Sequence, residues 1–420
     1  MTLRAPLPNQ ESAIPATGSG DSIRLTSSIC DTVAQKSVGK FGASVRALVL
    51  TGSLARNEGT FSRAGHGKWV SLGDAEFDLV LNSGIPLPPE AEVASLIRAI
   101  EDALSACGIS CSVSMGVCHD DYLRALKPHI FAYELICRGR VVCGEDRILS
   151  LIPPFAVSAI PREDAWRMLS NRIVEQLKLV DELSAVPEKL SVGAHYQLVK
   201  FVLDMATSFL LFAGHYAPSY RERNARLALL AAQSAGGPWP FDLTEFSRLV
   251  ETCTDWKLAP EASADAGFAL WNSASCYARQ LLTWELEQLT GGAGSNSTAD
   301  LMARWMRRQS IGVRLRGWLY VLRREGWRRS HLVMGKLLRK VWVSSPRYAV
   351  YAAATLLFFQ LPGLFLSGAA GVPVSFDETA EIIETLPMRR HRNTTSPVGW
   401  RDLAHEIVWN YNRYLVETRS

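Results

Sequence analysis

The spacing of apolar residues predicts a small mixed domain of strands and helices in the first 150 residues. Apolar residues recur at helical spacing in 22–41 and in 88–107, and the second helix has proline at its start. Short apolar or alternating runs predict strands between and after these helices. These strands are VRALVLTGS (45–53), AEFDLVLN (75–82), ISCSVSMGV (109–117) and a hairpin within HIFAYELICRGRVVCGED (129–146).

From Pro161 onward the apolar residues recur at helical spacing, in segments that are joined by short polar links. This pattern is typical of an antiparallel helical bundle. The Gly/Ser-rich stretch at 290–300 indicates a boundary. We therefore expect an α+β protein with a disordered tail, a small mixed-sheet domain, a helical bundle and a helical C-terminal region. Their predicted ranges are 1–21, 22–155, 161–290 and 291–420.

Composition is that of a folded protein, but the charge is unevenly distributed. The interval Arg304–Arg347 holds thirteen basic residues and one acid, a local net charge of +12 in a chain whose total is +4. Four tryptophans, at 305, 318, 327 and 342, alternate with the arginines. Such a segment fits an anionic membrane surface, and it fits nucleic acid equally well if the indoles serve as stacking platforms.

An uncharged run from Tyr348 to Phe376 follows the basic segment. The part from Tyr348 to Leu366 is long enough to cross a bilayer as a helix. Because Gln360, Pro362 and Gly363 interrupt its second half, a buried helix is the favoured interpretation and a membrane span the alternative. Eight scattered cysteines without a C-x-x-C pair, and an N-terminus unlike a signal peptide, favour the cytoplasm, with peripheral attachment at the inner membrane face left open.

Candidate chemistry begins where the first strand ends in Gly52 and Ser53. Glycine lets a backbone approach a phosphate closely, and serine adds a hydroxyl group. The strand at 75–82 and the residue before it carry Asp74, Glu76 and Asp78, which alternate and so share a face. Acids crowded on one face of an apolar strand predict bound divalent cations, with Glu76 paired either with Asp74 or with Asp78.

These motifs, LTGSLARNEGTF followed by DAEFDLVL, resemble the nucleotidyltransferase superfamily, which includes DNA polymerase β, poly(A) polymerases and aminoglycoside nucleotidyltransferases. The resemblance covers about residues 45–150. It implies that Gly52 and Ser53 hold the triphosphate of an NTP and that the acids hold Mg²⁺, with two ions expected. Arg56, just after the corner, is a further candidate phosphate ligand, and a surface helix residue is the alternative.

The chain departs from the superfamily pattern in two ways. An extra segment, FSRAGHGKWVSL, separates the Gly-Ser corner from the acids. The family also places a third acid, the general base, on the next strand, whereas this strand has Ser112 and Ser114. Glu134, on the strand predicted to follow, is the substitute candidate.

Two functions remain open from the sequence. The first is a Mg²⁺-dependent nucleotidyltransferase that moves a nucleoside monophosphate onto a hydroxyl group of a small molecule, a glycan precursor or a protein. The second is a catalytically lapsed nucleotide-binding or scaffold protein, attached to a membrane surface or to nucleic acid through Arg304–Arg347. The missing third acid favours the second, and the acidic strand favours the first.

Overall fold

The computed structural model describes residues 20–63, 68–185, 190–233, 237–260, 267–292, 297–325, 340–366, 386 and 399–416. Within them the chain forms a small mixed sheet near the N-terminus followed by many helices, which confirms the α+β fold class. It divides into two compact units. A sheet unit contains the described residues up to Cys118 together with Arg140–Asp146, and a helical unit contains His119–Gly139 and the described residues from Arg147 onward.

The sheet unit is built on a four-stranded sheet. In chain order its elements are α1 (Gly20–Phe41), β1 (Val45–Leu50), α2 (Gly52–Ala55), β2 (Phe61–Arg63), β3 (Trp69–Ser71), β4 (Ala75–Leu81), α3 (Glu90–Ala106), β5 (Ile109–Ser110), β6 (Val113–His119) and β7 (Arg140–Gly144). The sheet order is β6-β4-β1-β7, and β1 is antiparallel to both of its neighbours. Helices α1 and α3 cover one face with Ile29, Val33, Leu96 and Ile100, which pack against alternate residues of β1 and β4.

Two strands of a second, three-stranded sheet, β2 and β3, lie in the segment that separates the corner from the acids. Strands β2 and β3 form an antiparallel hairpin, and β3 pairs in parallel with β5. The predicted strand 109–117 is therefore two strands, β5 and β6, which belong to different sheets. The two strands are separated only by Cys111 and Ser112, which do not break the alternation of apolar and polar residues. The sequence therefore gives no sign of the division.

The helical unit is a bundle around the long, buried helix α8. Its helices are α4 (Asp120–Arg124), α5 (Ile130–Arg138), α6 (Arg162–Leu177), α7 (Val180–Ala185), α8 (Val192–Phe212), α9 (Tyr220–Gln233), α10 (Leu243–Leu258), α11 (Gly267–Thr290), α12 (Thr298–Arg308), α13 (Ile311–Glu325), α14 (Pro346–Leu366) and α15 (Trp400–Tyr411). A π-helical turn, Asn412–Val416, follows α15. The predicted helical bundle is confirmed.

The bundle and the C-terminal region share one hydrophobic core. Trp166 of α6 packs against Trp305 of α12 with ring centroids 5.8 Å apart, and against Tyr348 of α14 at 4.9 Å. The predicted boundary at 290–291 therefore does not separate two units. A Gly/Ser-rich stretch in the sequence cannot distinguish a linker between domains from a loop between two helices of one core.

Among the described residues, helix α14 is the one segment that is long and apolar enough to cross a membrane. Of its most apolar window, Pro346–Phe365, 72% is buried inside the protein. Tyr351, Leu357 and Phe358 are almost fully enclosed in the core of the helical unit. The favoured interpretation, a buried helix, is confirmed.

The hairpin predicted at 129–146 is wrong in its first half, where α5 replaces a strand. The His129 side chain caps the helix by accepting a hydrogen bond from the amide of Ala132 (2.9 Å), and Asp164 accepts one from the amide of Ile130 (2.8 Å). Ile130, Ala132 and Leu135 are buried. Asp164 lies 34 residues away, so this cap cannot be inferred from the local sequence.

A buried carboxyl group in α11 makes stability depend on pH. Glu285 is fully buried and accepts a hydrogen bond from the Ser208 hydroxyl (2.6 Å). Burial raises the pKa of Glu285 from 4.5 to about 8, so the folded protein keeps a proton that the unfolded chain has lost in this range. The free energy of unfolding therefore falls as pH rises from 4.5 to 8.

We expect Glu285→Gln to remove this loss because the amide needs no proton to stay neutral. At pH 8 the variant should exceed the wild type in unfolding free energy by on the order of 3 kcal/mol, with little difference at pH 4.5. Urea unfolding at several pH values measures this. The matched control is Glu287→Gln on the same helix, and an equal pH response in both variants would contradict the assignment.

Candidate functional site

The antiparallel pairing of β1 with β4 brings the Gly-Ser corner next to the acidic strand. Leu50, the last residue of β1, pairs with Phe77. One residue further, the Thr51 amide donates a hydrogen bond to the Glu76 carbonyl (2.8 Å). The corner at Gly52 therefore lies beside Glu76, the first acid of β4.

Glycine is required at position 52 for two reasons. Its φ of +65° lies in the left-handed region, which other residues adopt only with strain. A Cβ atom there would also lie 3.0 Å from the Oε2 atom of Glu76. The Glu76 carboxylate therefore packs directly against the corner, and a Cβ atom at 52 would force it to shift by a few tenths of an ångström.

Asp78, two residues further along β4, lies on the same face as Glu76. It also touches the neighbouring strand β6, because a Cβ atom on Gly116 would lie 2.6 Å from Asp78 Oδ1. Its second oxygen, Oδ2, is buried and has no hydrogen-bond partner. Burial first, and then the charge of Glu76, raise the pKa of Asp78 from 3.8 to about 6.

Asp74 is placed differently from the other two acids. It precedes β4 and so lies outside the strand. Asp74 and Glu76 are both exposed to solvent, whereas Asp78 is half-buried. The charge of Asp74 contributes to the raised pKa of the buried Cys111 thiol, for which burial is the main cause, whereas the acid that acts on Asp78 is Glu76. Of the two pairings that the sequence leaves open, the geometry brings together Glu76 and Asp78.

Arg56 is engaged by a residue that the sequence analysis did not single out. Its Nε atom donates to Glu58 Oε2 (3.0 Å), and the two side chains are 5% and 0% exposed. The amide of Glu58 also donates to the carbonyl of Ser53 (2.8 Å), which closes the turn after the corner. Arg56 is therefore part of a buried ion pair and not a surface residue. The only signal was a charged pair two residues apart, which is too common to be informative.

The strand beside Asp78 presents no acid toward it. Ser114 and Gly116 of β6 lie on the same face as Asp78, and Gly116 makes the close contact. Strand β6 therefore offers Asp78 only a serine and a glycine, in agreement with the lack of a third acid in its sequence. Close packing of Asp78 against a glycine leaves no room for a larger residue.

Glu134, the substitute for the third acid, lies on α5 of the helical unit and not on a strand. Its Oε1 atom accepts a hydrogen bond from the Tyr216 hydroxyl (2.6 Å) and forms an ion pair with the buried Arg223. Arg223 also donates to Thr207 (2.9 Å) and lies over the Tyr216 ring. Glu134 is therefore bound by side chains of the helical bundle. The prediction that it lies on a strand, on which its candidacy as the base depended, is wrong.

The pair Glu76 and Asp78 has the chemistry to hold Mg²⁺. Carboxylate oxygens are ligands that Mg²⁺ prefers, and it is typically bound by one or two carboxylates together with substrate phosphates. The buried Oδ2 atom of Asp78 lacks a partner, and a cation would satisfy it. Within the described ranges no group of three or more His, Cys, Asp or Glu side chains is placed to bind a metal.

Comparisons of the chain with protein-family models, with curated proteins and with solved structures found no match.

Proposed function

We propose that the protein is a Mg²⁺-dependent nucleotidyltransferase that moves a nucleoside monophosphate from an NTP to a hydroxyl acceptor. The observation that carries this proposal is the packing of the Glu76 carboxylate against the Gly52 corner, with Asp78 on the same face. Two carboxylates beside a glycine corner combine the groups that bind a metal with the groups that admit a phosphate. The acceptor would be a small molecule, a glycan precursor or a protein.

Each residue has a distinct task in this proposal. Gly52 shapes the corner and lets the Glu76 carboxylate lie directly beside it, and the Ser53 hydroxyl donates a hydrogen bond to the phosphate oxygens. Glu76 and Asp78 hold Mg²⁺, which when bound neutralises the triphosphate charge and polarises the phosphorus that is attacked. The Arg56–Glu58 pair fixes the turn that follows the corner. We place the reaction in the cytoplasm, where NTPs are abundant.

A second candidate function is nucleotide binding without transfer. In the superfamily a third acid on the strand that corresponds to β6 deprotonates the acceptor. The corresponding face of β6 has Ser114 and Gly116 instead, which favours this alternative. Glu134 supplies no evident replacement, since Tyr216 and Arg223 bind its carboxylate. In this alternative the corner and the acids still hold Mg²⁺ and an NTP, and the protein serves as a scaffold.

A thermal-shift series with the four NTPs, with and without Mg²⁺, tests whether the site binds nucleotide. At a concentration about 100 times Kd, stabilisation of about 2.7 kcal/mol is expected, which corresponds to a Tm increase of about 2–4 °C. Glu76→Ala should abolish the Mg²⁺-dependent part. Glu90→Ala, an exposed glutamate of the same unit, should leave it intact.

No shift with any NTP, or an unchanged shift in Glu76→Ala, would contradict both candidate functions. To separate the two, the protein is incubated with α-³²P-labelled NTPs, Mg²⁺ and cell extract. A labelled product that Glu76→Ala does not form supports transfer. Metal-dependent binding without any labelled product supports the scaffold alternative.

A further inference from the structure

Helix α13 exposes a line of aliphatic side chains to solvent. Ile311, Leu315 and Leu319 are spaced at i, i+4 and i+8, so they lie one above another on the helix surface. They are 57%, 46% and 46% exposed. We call these three residues the α13 stripe.

The α13 stripe is not the face by which the helix is anchored to the protein. Trp318, Val321 and Leu322 form that face and are buried, and the Trp318 indole N–H donates to the carbonyl of Ser344 (2.7 Å). At Gly317 a Cβ atom would lie 2.8 Å from the Pro346 ring, so the helix is seated closely against the start of α14. The fold therefore already holds α13 in place without the stripe.

Positive charge surrounds the α13 stripe. Arg323 continues its line at i+4 from Leu319, and Arg316 follows Leu315 directly. Both arginines are exposed and form no ion pair within the described part of the chain. Glu325, the final residue, is the helix's one acid. A docking partner of this surface must therefore be anionic as well as apolar.

Three tryptophans of the basic segment decide between the two anionic partners that the sequence leaves open; the fourth, Trp327, lies outside the described residues. Trp305 and Trp318 are 9% and 1% exposed, so neither can stack on a nucleic-acid base. Trp342 is 71% exposed, and its carbonyl accepts a hydrogen bond from Arg314, which places it next to α13. Aliphatic side chains with flanking arginines and one exposed indole are the composition that inserts at the boundary between lipid headgroups and acyl chains.

We propose that α13 docks on an anionic lipid surface, with the α13 stripe and Trp342 in the outer acyl region and with Arg316 and Arg323 at the headgroups. This inference is independent of the proposed nucleotide chemistry. It assigns the basic segment a peripheral membrane contact and leaves α14 in the protein core. Binding is expected to be reversible, because one short amphipathic helix buries little area.

Vesicle cosedimentation of the full-length protein tests this proposal. We expect binding to vesicles of phosphatidylcholine with 30% phosphatidylglycerol and little binding to phosphatidylcholine alone. Leu315→Asn/Leu319→Asn and Arg316→Gln/Arg323→Gln should each weaken binding at least tenfold. All four positions are exposed, so the variants should fold, and circular dichroism verifies this.

Matched controls separate the surface from general stickiness. Leu229→Asn removes a leucine of the helical unit that is even more exposed, at 56%. Arg98→Gln/Arg248→Gln removes the same charge from other exposed sites. Both should bind like the wild type. Vesicle binding that is absent, or equal in the α13 variants and the controls, would overturn the proposal. The proposal would also be overturned if the α13 variants lost binding to single-stranded RNA but kept binding to vesicles.

Discussion

Asp78→Asn is expected to abolish Mg²⁺-dependent NTP binding and, at the same time, to make the protein more stable above pH 6. Asp78 is half-buried with its Oδ2 atom fully enclosed, and this burial together with the charge of Glu76 raises the pKa of the carboxyl group to about 6. Because the folded state binds the proton more tightly than the unfolded state, the unfolding free energy falls as pH rises from 3.8 to 6. Asparagine avoids that loss and should add on the order of 2 kcal/mol at pH 8.

The loss of binding and the gain in stability have the same origin. An amide keeps the shape of the carboxyl group but cannot supply the negative charge that a divalent cation needs. Urea unfolding at pH 4 and pH 8, combined with NTP titration in Mg²⁺, measures both effects. Asp102→Asn, an exposed aspartate on α3, is the control and should change neither. A variant that is less stable at pH 8, or that keeps metal-dependent binding, would count against the account.

Glu58→Leu is expected to be the most destabilising single change near the corner. The substitution removes the Glu58 carboxylate to which the Arg56 guanidinium, 5% exposed, donates in the protein interior. Removing one member of a buried ion pair typically costs about 3–5 kcal/mol. The urea midpoint should fall accordingly, and NTP binding should weaken because the turn from Ser53 to Glu58 loosens.

The double variant Arg56→Met/Glu58→Leu distinguishes an unpaired charge from simple loss of packing. It removes both charges and fills the space with apolar groups, so most of the stability should return. If the double variant is as unstable as Glu58→Leu, the ion pair is not the source of the effect. If Arg56 instead binds a phosphate, the double variant should regain stability without regaining NTP affinity.

The elements that carry the candidate site could be predicted because their patterns are local. An apolar run ending in Gly52 and Ser53 fixes β1 and the corner, and alternation along 75–81 fixes which residues of β4 share a face. Antiparallel pairing of two neighbouring strands then brings Glu76 to Gly52. The sequence could not show whether Asp74 or Asp78 pairs with Glu76, because alternation alone does not show where a strand begins.

What the sequence could not show depends on contacts between distant residues. Helix α5 is stabilised at its start by Asp164, and the roles of Glu134 and Arg223 follow from their mutual contact 89 residues apart. The basic segment is another case. Trp305 and Trp318 are interior residues while Ile311, Leu315 and Leu319 are outside, an arrangement that composition cannot distinguish from its opposite.

The most direct test of the central claim is a count of bound metal ions. Mn²⁺, which replaces Mg²⁺ and is visible by electron paramagnetic resonance, is titrated into the protein in the presence of a non-hydrolysable NTP analogue. The account predicts one or two Mn²⁺ bound by the wild type beyond those bound by the analogue alone, and none by Glu76→Gln/Asp78→Asn. Equal Mn²⁺ binding by the wild type and the double variant would contradict it.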